Sequence, residues 1–146
     1  MSTNPFASYN IELAEAYGDK IRSYCGTGGK GLSSEIAPFE RQVDFWFAAF
    51  IVGTVESLGL EKPAKTYSAT QAHILSSNPE RIIYIQAVYL AETNNLEGLA
   101  NPRDIWDFAS QRAHAGVSRL IQILSDADEK PMWNLLDSIE NNLSKS

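Results

Sequence analysis

Apolar residues recur at helical spacing along nearly the whole chain, and no segment alternates apolar and polar residues long enough to predict a convincing strand. The pattern predicts a first helix over about Asn10–Tyr24. The sequence CGTGGKGLSS ends it, because glycine is unfavourable inside a helix. A second helix is predicted from about Pro38 to the sequence LGL, with Gly59 as the left-handed residue beyond its end. The loop EKPAKTYS and a short helical segment around Thr70–Leu75 are expected next.

The second half of the chain carries clear signals for where helices begin and end. Asn78 and Asn101 each precede a proline, and this combination of an N-cap residue and a first-turn proline opens helices. Gly116 is expected to end one helix, with another running over Val117–Leu124. A last helix is predicted after Pro131. Its apolar residues form one stripe, made of Met132, Leu135, Leu136, Ile139 and Leu143.

These elements predict an all-α protein with a single domain over residues 1–146, built as a bundle of five to seven helices with short connections. A chain of this length can bury a core without disulfides or metals. The centre of the bundle is expected to be the apolar helix around residues 38–58. That helix carries eight consecutive apolar residues, Phe45–Val52.

The apolar run has two possible explanations. On a helical wheel one stripe forms a complete core face, made of Phe39, Val43, Trp46, Phe47, Phe50 and Gly53. The apolar residues on the other side, among charged residues, are Phe45, Ala48, Val52 and Val55. A helix that is apolar on both sides is either central in its domain or covered by a partner, and the sequence leaves both open. Ala48 and Ala49 are small enough for another helix to approach closely. The candidate interface residues are therefore Phe45, Ala48, Ala49 and Val52, and a homodimer or a stable subunit of a larger complex is predicted.

Charge and cysteine content narrow the possible partners and surroundings. The formal net charge is −6, and the basic residues are scattered, which argues against nucleic-acid binding. The single cysteine is typical of a reducing compartment. The apolar run is too short to span a bilayer, which takes about 20 residues. The first residues, MSTNPFASYN, lack the pattern of a signal peptide, so we expect a cytoplasmic protein with no membrane partner.

Candidate catalytic and cofactor-binding residues do not form a recognisable set. The sequence GTGGKG resembles a phosphate loop, but Gly31 stands where the motif requires Ser or Thr, and the preceding segment is predicted to be helical. Cys25 follows a helix end, where the dipole does not favour a thiolate. His73 and His114 have no motif around them and are far apart for a metal site. The sequence therefore predicts no enzyme activity, no cofactor and no metal.

Three segments carry a resemblance to a known group of proteins. They are APFERQVDFWFAAFIVG, ILSSNPERIIYIQAVYLAE and PRDIWDFASQRAHAGVSRLIQIL, which together cover about Ala37–Leu124. Their aromatic helix after Pro-Phe, their helix ending in Leu-Ala-Glu and their Ala-Gly sequence before a Leu-rich helix are similar to small bacterial accessory proteins. Those proteins are encoded beside DNA sulfur-modification (phosphorothioation) and related anti-phage defence systems. The resemblance implies a bacterial, cytoplasmic, helical protein that works through partners, and it assigns no functional residue.

The leading hypothesis is thus a non-enzymatic interaction subunit, with two alternatives from other classes. A small-molecule or nucleotide-sensing domain would hold its ligand between helices. The aromatic residues that would line such a space are Tyr84, Tyr89, Trp106 and Phe108. A helix-turn-helix DNA-binding protein would use the region 101–124 with a turn at Gly116. The arginines that would face phosphates are Arg103, Arg112 and Arg119.

Overall fold

A computed structural model describes residues 4–26, 37–125 and 130–144, and most of these residues are helical. The α-helices of the described residues are α1 (Gly18–Ser23), α2 (Gln42–Val55), α3 (Pro79–Thr93), α4 (Pro102–Ser125) and α5 (Pro131–Ser144). Short 3₁₀ turns cover Glu15–Tyr17, Ala72–Ser77 and Glu97–Ala100. Two strands, β1 (Asn10–Ala14) and β2 (Thr66–Gln71), form an antiparallel sheet. The sequence GTGGKG falls almost entirely outside the described residues, as does the side chain of Leu143.

The small sheet corrects the all-α prediction. The segment expected to be one helix over Asn10–Tyr24 begins as β1, turns through a 3₁₀ segment and becomes helical only at Gly18. In β1, Ile11 and Leu13 are fully buried while Glu12 between them is exposed, which is the alternation of a half-buried strand. The alternation is too short to be distinguished from helical spacing in the sequence. Its partner β2 comes from the segment predicted to be a loop and a short helix.

Helix α2 lies at the centre of the core and packs along α4. Phe45, Trp46 and Phe50 are fully buried, and the Trp46 ring stacks on Trp106 of α4 with centroids 5.1 Å apart. The two helices approach so closely that a Cβ added at Gly116 would lie 1.8 Å from the carbonyl oxygen of Ala49. The break predicted at Gly116 is therefore wrong, since α4 runs without interruption to Ser125 and the glycine provides room for α2.

The ends of the helices agree with the sequence in part. Prolines 79, 102 and 131 are the first residues of α3, α4 and α5, as predicted. The Asn101 side-chain oxygen accepts a hydrogen bond from the amide of Asp104 at 3.5 Å, whereas Asn78 makes no capping bond. Helix α2 ends at Val55, and the left-handed residue beyond it is Ser57, with φ of 54°, rather than Gly59.

Two ion pairs join α3 to the central helices. Arg112 of α4 is almost fully buried and donates two hydrogen bonds to the Glu92 carboxylate of α3, at 2.6 and 2.5 Å. Asp44 accepts a hydrogen bond from Arg81 at 2.9 Å and also caps α2 by accepting from the Arg41 amide at 3.0 Å. Charge-assisted bonds of this kind fix the register of packed helices. Across the described ranges, none of the helices combines the length and the apolar character needed to cross a bilayer.

Candidate functional site

The four residues predicted to form an interface have different surroundings. Phe45 and Ala49 are fully buried within the chain, and the Phe45 ring meets Phe39 edge-on with centroids 5.4 Å apart. Both belong to the core of the monomer and offer no surface to a partner. Ala48 and Val52 are partly buried and pack against the core. Of the four, Val52 also lines an open groove on the surface.

This groove lies between the end of α2 and the side of α5, with α4 beneath it. Its volume is about 440 Å³. The residues that line it are Ile51, Val52, Val55, Glu56, Ile123, Leu135, Ser138, Ile139 and Asn142. We call it the α2–α5 groove. Two of its apolar side chains remain open to solvent, since Val55 is 58% exposed and Ile139 is 48% exposed.

The apolar surface continues from the groove onto the outer face of α5. Trp133 is 50% exposed and Leu136 is 45% exposed. Successive residues of a helix are rotated by about 100° around its axis. In order around α5, the apolar side chains are Leu135, Ile139, Leu136 and Trp133, and together they cover about 160° of its circumference. An amphipathic helix that packs only on its own domain needs a stripe of roughly 100°. Helix α5 therefore carries more apolar surface than its packing on α4 uses.

Polar contacts hold α5 and the groove edge in place. The buried Asn134 side chain donates a hydrogen bond to the Leu124 carbonyl at 2.9 Å, which fastens α5 to the end of α4. Glu56 is the charged residue among those lining the groove, and it accepts a hydrogen bond from Arg119 at 2.8 Å. Asp137 and Glu140 are exposed on α5. The lining of the groove is thus mainly apolar, and the two acidic residues of α5 lie on the outer side of the helix.

The residues considered for catalysis come from different parts of the chain. Cys25 is buried, and burial together with the Asp44 charge raises the pKa of its thiol to about 12. His73 is exposed on the 3₁₀ turn before α3, whereas His114 is on α4. Over the part of the chain that the structure describes, His, Cys, Asp and Glu side chains do not gather in a group of three suited to a metal ion.

The aromatic residues considered for ligand binding are occupied by packing. Trp106 lies in the core against Trp46, and Tyr89 meets Phe108 edge-on with ring centroids 5.5 Å apart. Tyr84 packs edge-on against Phe47 at 5.8 Å, in a separate contact. The structure therefore does not bring these residues together around one shared space.

The arginines considered for DNA contact are paired with carboxylates. Arg112 is bound by Glu92, Arg119 by Glu56, and Arg103 lies 3.3 Å from Asp107. The turn expected at Gly116 is absent, because α4 is continuous there. Arg112 and Arg119 therefore join α4 to neighbouring segments, whereas the Arg103 pair lies within α4.

The sequence pattern missed the outer part of the surface. On the helical wheel Val55 lies on the same outer side of α2 as Val52, whereas the default expectation for Trp133 is packing in the core. The sequence does carry one signal for this surface. Trp133 lies three residues before Leu136, outside the core stripe of the last helix, so the two side chains can extend the apolar surface of that helix.

No family model, no curated protein and no solved structure matches this chain.

Proposed function

We propose that the protein is a non-enzymatic interaction subunit that binds an amphipathic helix of a partner protein in the α2–α5 groove. The observation that carries this proposal is the half-exposed apolar surface formed by Val55, Ile139, Leu136 and Trp133. Helix-in-groove recognition places apolar side chains at i, i+3, i+4 and i+7 into such a surface. Contiguous exposed apolar surface of this kind marks interaction sites in soluble proteins.

Charge favours a partner helix with basic residues on its flanks. Glu56 lines the groove in an ion pair with Arg119, and Asp137 and Glu140 lie on the exposed outer side of α5. A second copy of the chain would bring the same acidic residues and a net charge of −6 to the contact. Lys and Arg at the edges of a partner helix would instead face carboxylates and raise the association rate. A heterologous helical partner thus fits this surface better than a homodimer does.

The resemblance noted in the sequence suggests a biological setting for this partner. On that basis the protein is proposed to act in the bacterial cytoplasm as an accessory subunit of an anti-phage defence complex. The burial of Cys25 and the raised pKa of its thiol support a role without catalysis, because a protonated thiol is a poor nucleophile.

The test compares two isoleucines changed to the same acidic residue. Ile139→Glu places a negative charge in the groove, whereas Ile83→Glu changes a side chain on α3 that is 64% exposed and lies outside it. Tagged wild-type and variant proteins would be expressed in the native host and purified after chemical cross-linking. We expect one partner to cross-link to α5 of the wild-type protein and of Ile83→Glu, and to be lost from Ile139→Glu.

Sedimentation of the purified proteins separates the other possible occupants. If the wild-type protein is a dimer and Ile139→Glu is a monomer, the groove binds a second copy of the chain and not a heterologous partner. Cross-links that avoid α5, or that survive Ile139→Glu, would contradict the assignment of the groove. Circular dichroism of both variants shows whether the helical fold is retained.

A further inference from the structure

A second concave surface lies away from the α2–α5 groove, over His114 of α4. Its walls are residues 14–17, at the end of β1, and the loop of residues 61–65. The Glu15 amide donates a hydrogen bond to the Lys65 carbonyl at 3.0 Å, and the Glu61 amide donates to the Gln111 carbonyl at 3.1 Å. These backbone bonds tie the loop to both neighbouring elements, so the shape of the cleft is formed in advance. Its volume of about 490 Å³ is in the range of small-ligand sites.

The lining of this cleft suits a small flat molecule with hydrogen-bonding edges. Its apolar part consists of Ala14, Ala16, Pro63 and Ala64, with the Tyr17 ring 39% exposed beside them. Burial lowers the pKa of His114 and so favours the neutral imidazole, although the Glu12 carboxylate acts in the opposite direction. A neutral imidazole offers one donor and one acceptor nitrogen. Within the described part of the chain, neither nitrogen forms a hydrogen bond.

The charges around the cleft decide which ligands it accepts. Glu15 and Glu61 line it, and Glu12 is close enough to influence His114, whereas Lys65 is the basic residue of the lining. Lys62 lies in the same loop, and the three carboxylates outnumber the two ammonium groups, so a negatively charged ligand is repelled and a positively charged one is attracted. Phosphate-bearing nucleotides are disfavoured here for the same reason.

We propose that the cleft over His114 binds a small heteroaromatic compound that is neutral or, preferably, cationic. The ring lies on the alanines and Pro63 beside Tyr17, and its N–H donates a hydrogen bond to the acceptor nitrogen of His114. A side-chain amine of the ligand faces Glu15 and Glu61. This site is independent of the α2–α5 groove and does not depend on the function proposed for it.

Three probes that share the indole ring and differ in net charge test the proposal on the full chain. Tryptamine is cationic, indole is neutral and indole-3-acetate is anionic at pH 7.5. Each probe is titrated into the protein while the imidazole proton resonances are followed by NMR. The chain has two histidines, so His73 serves as the internal control for His114. We expect the His114 resonances to shift, those of His73 to stay, and tryptamine to bind at least tenfold more tightly than indole-3-acetate.

Two variants then identify the contacts. His114→Ala is expected to weaken tryptamine binding about tenfold or more, whereas His73→Ala should leave it unchanged. Glu61→Gln should reduce the preference for tryptamine over indole while indole binding stays the same. Equal binding of tryptamine and indole-3-acetate by the wild-type protein, or no shift of His114 with any probe at millimolar concentration, would overturn the proposal without any variant.

Discussion

At the scale of single residues, Cys25 shows how burial removes the reactivity of a side chain. Its thiol is 2% exposed, and its pKa of about 12 arises first from burial and second from the negative charge of Asp44. The amide of Gly26 next to it donates a hydrogen bond to Phe39 at 2.7 Å, so the segment is held between α1 and the start of α2. The thiol is thus a packing group in the native state.

The raised pKa of Cys25 predicts how stability falls at high pH. The unfolded thiol loses its proton above its ordinary pKa of 9.0, while the folded thiol keeps it to about 12. The contribution of Cys25 to the free energy of unfolding is therefore fully present below pH 9. Above pH 9 it is lost at up to about 1.4 kcal/mol per pH unit. Urea unfolding at pH 8, 9 and 10 should show a shallower decline for Cys25→Ala than for the wild type. Parallel declines would mean that the thiol ionises normally in the folded protein.

The apolar run of α2 shows how far the burial of single residues can be predicted from a sequence. The wheel identified the core face of α2 correctly, because burial follows the period of the helix. It did not show that Phe45 and Ala49 are also covered, since the elements that cover them come from distant parts of the chain. The exposed positions of the groove depend on where α5 lies, which no local pattern encodes. The wheel places Val52 and Val55 on the outer side of α2, whereas the exposure of Ile139 and Trp133 could not be predicted from it.

At the scale of secondary structure, the predictions of helix starts were correct where a residue acts on its own turn of backbone. The prolines that begin α3, α4 and α5 act on their own turn of backbone, so their positions gave the helix starts. The strands β1 and β2 are defined by pairing between segments more than 50 residues apart, and each alone is too short to be recognised. Gly116 was misread because a glycine that breaks a helix and a glycine that admits a neighbouring helix look the same in a sequence.

Two glycines give a matched test of the close contact between α2 and α4. A Cβ at Gly116 would lie 1.8 Å from a backbone oxygen, whereas a Cβ at Gly59 would meet nothing within 4 Å. Gly116→Ala should gain about 1 kcal/mol of helix propensity and still be destabilised by about 1–3 kcal/mol, because the two helix backbones must move apart. Gly59→Ala should change the free energy of unfolding by less than about 0.5 kcal/mol. Urea denaturation of both variants measures these differences, and an unaffected Gly116→Ala would mean that the helices are not in contact there.

At the scale of the whole molecule, one core unites α1–α4 and the sheet, while α5 is held more lightly. The core around α2 includes Phe6 from the N-terminal segment, Ile11 of β1, Leu75 before α3 and Leu120 of α4, all of them at most 1% exposed. On α5 the one buried side chain among those described is Asn134, and Leu135 packs against the core only in part. A surface used for binding is often drawn from such weakly held elements.

This difference predicts unequal hydrogen exchange. Amides in the middle of α2 and α4 should exchange only through global unfolding, whereas those of α5 should exchange through local opening that exposes little of the core. We expect α5 to be protected on the order of a hundredfold less than α2, which corresponds to about 2.7 kcal/mol. Hydrogen exchange followed by mass spectrometry on peptides from the two helices measures this ratio.

Asn134→Ala provides the matched perturbation for that measurement. It removes the hydrogen bond to the Leu124 carbonyl, which fastens α5 to α4, and leaves the packing of α2 untouched. The variant should lower the protection of α5 by a further factor of about 5 to 10, since a buried hydrogen bond contributes about 1 kcal/mol or slightly more. The protection of α2 should not change. If α5 and α2 instead lose protection together, the helix belongs to the same cooperative unit as the core, and its half-exposed apolar face is then held rigidly in place for a partner before binding.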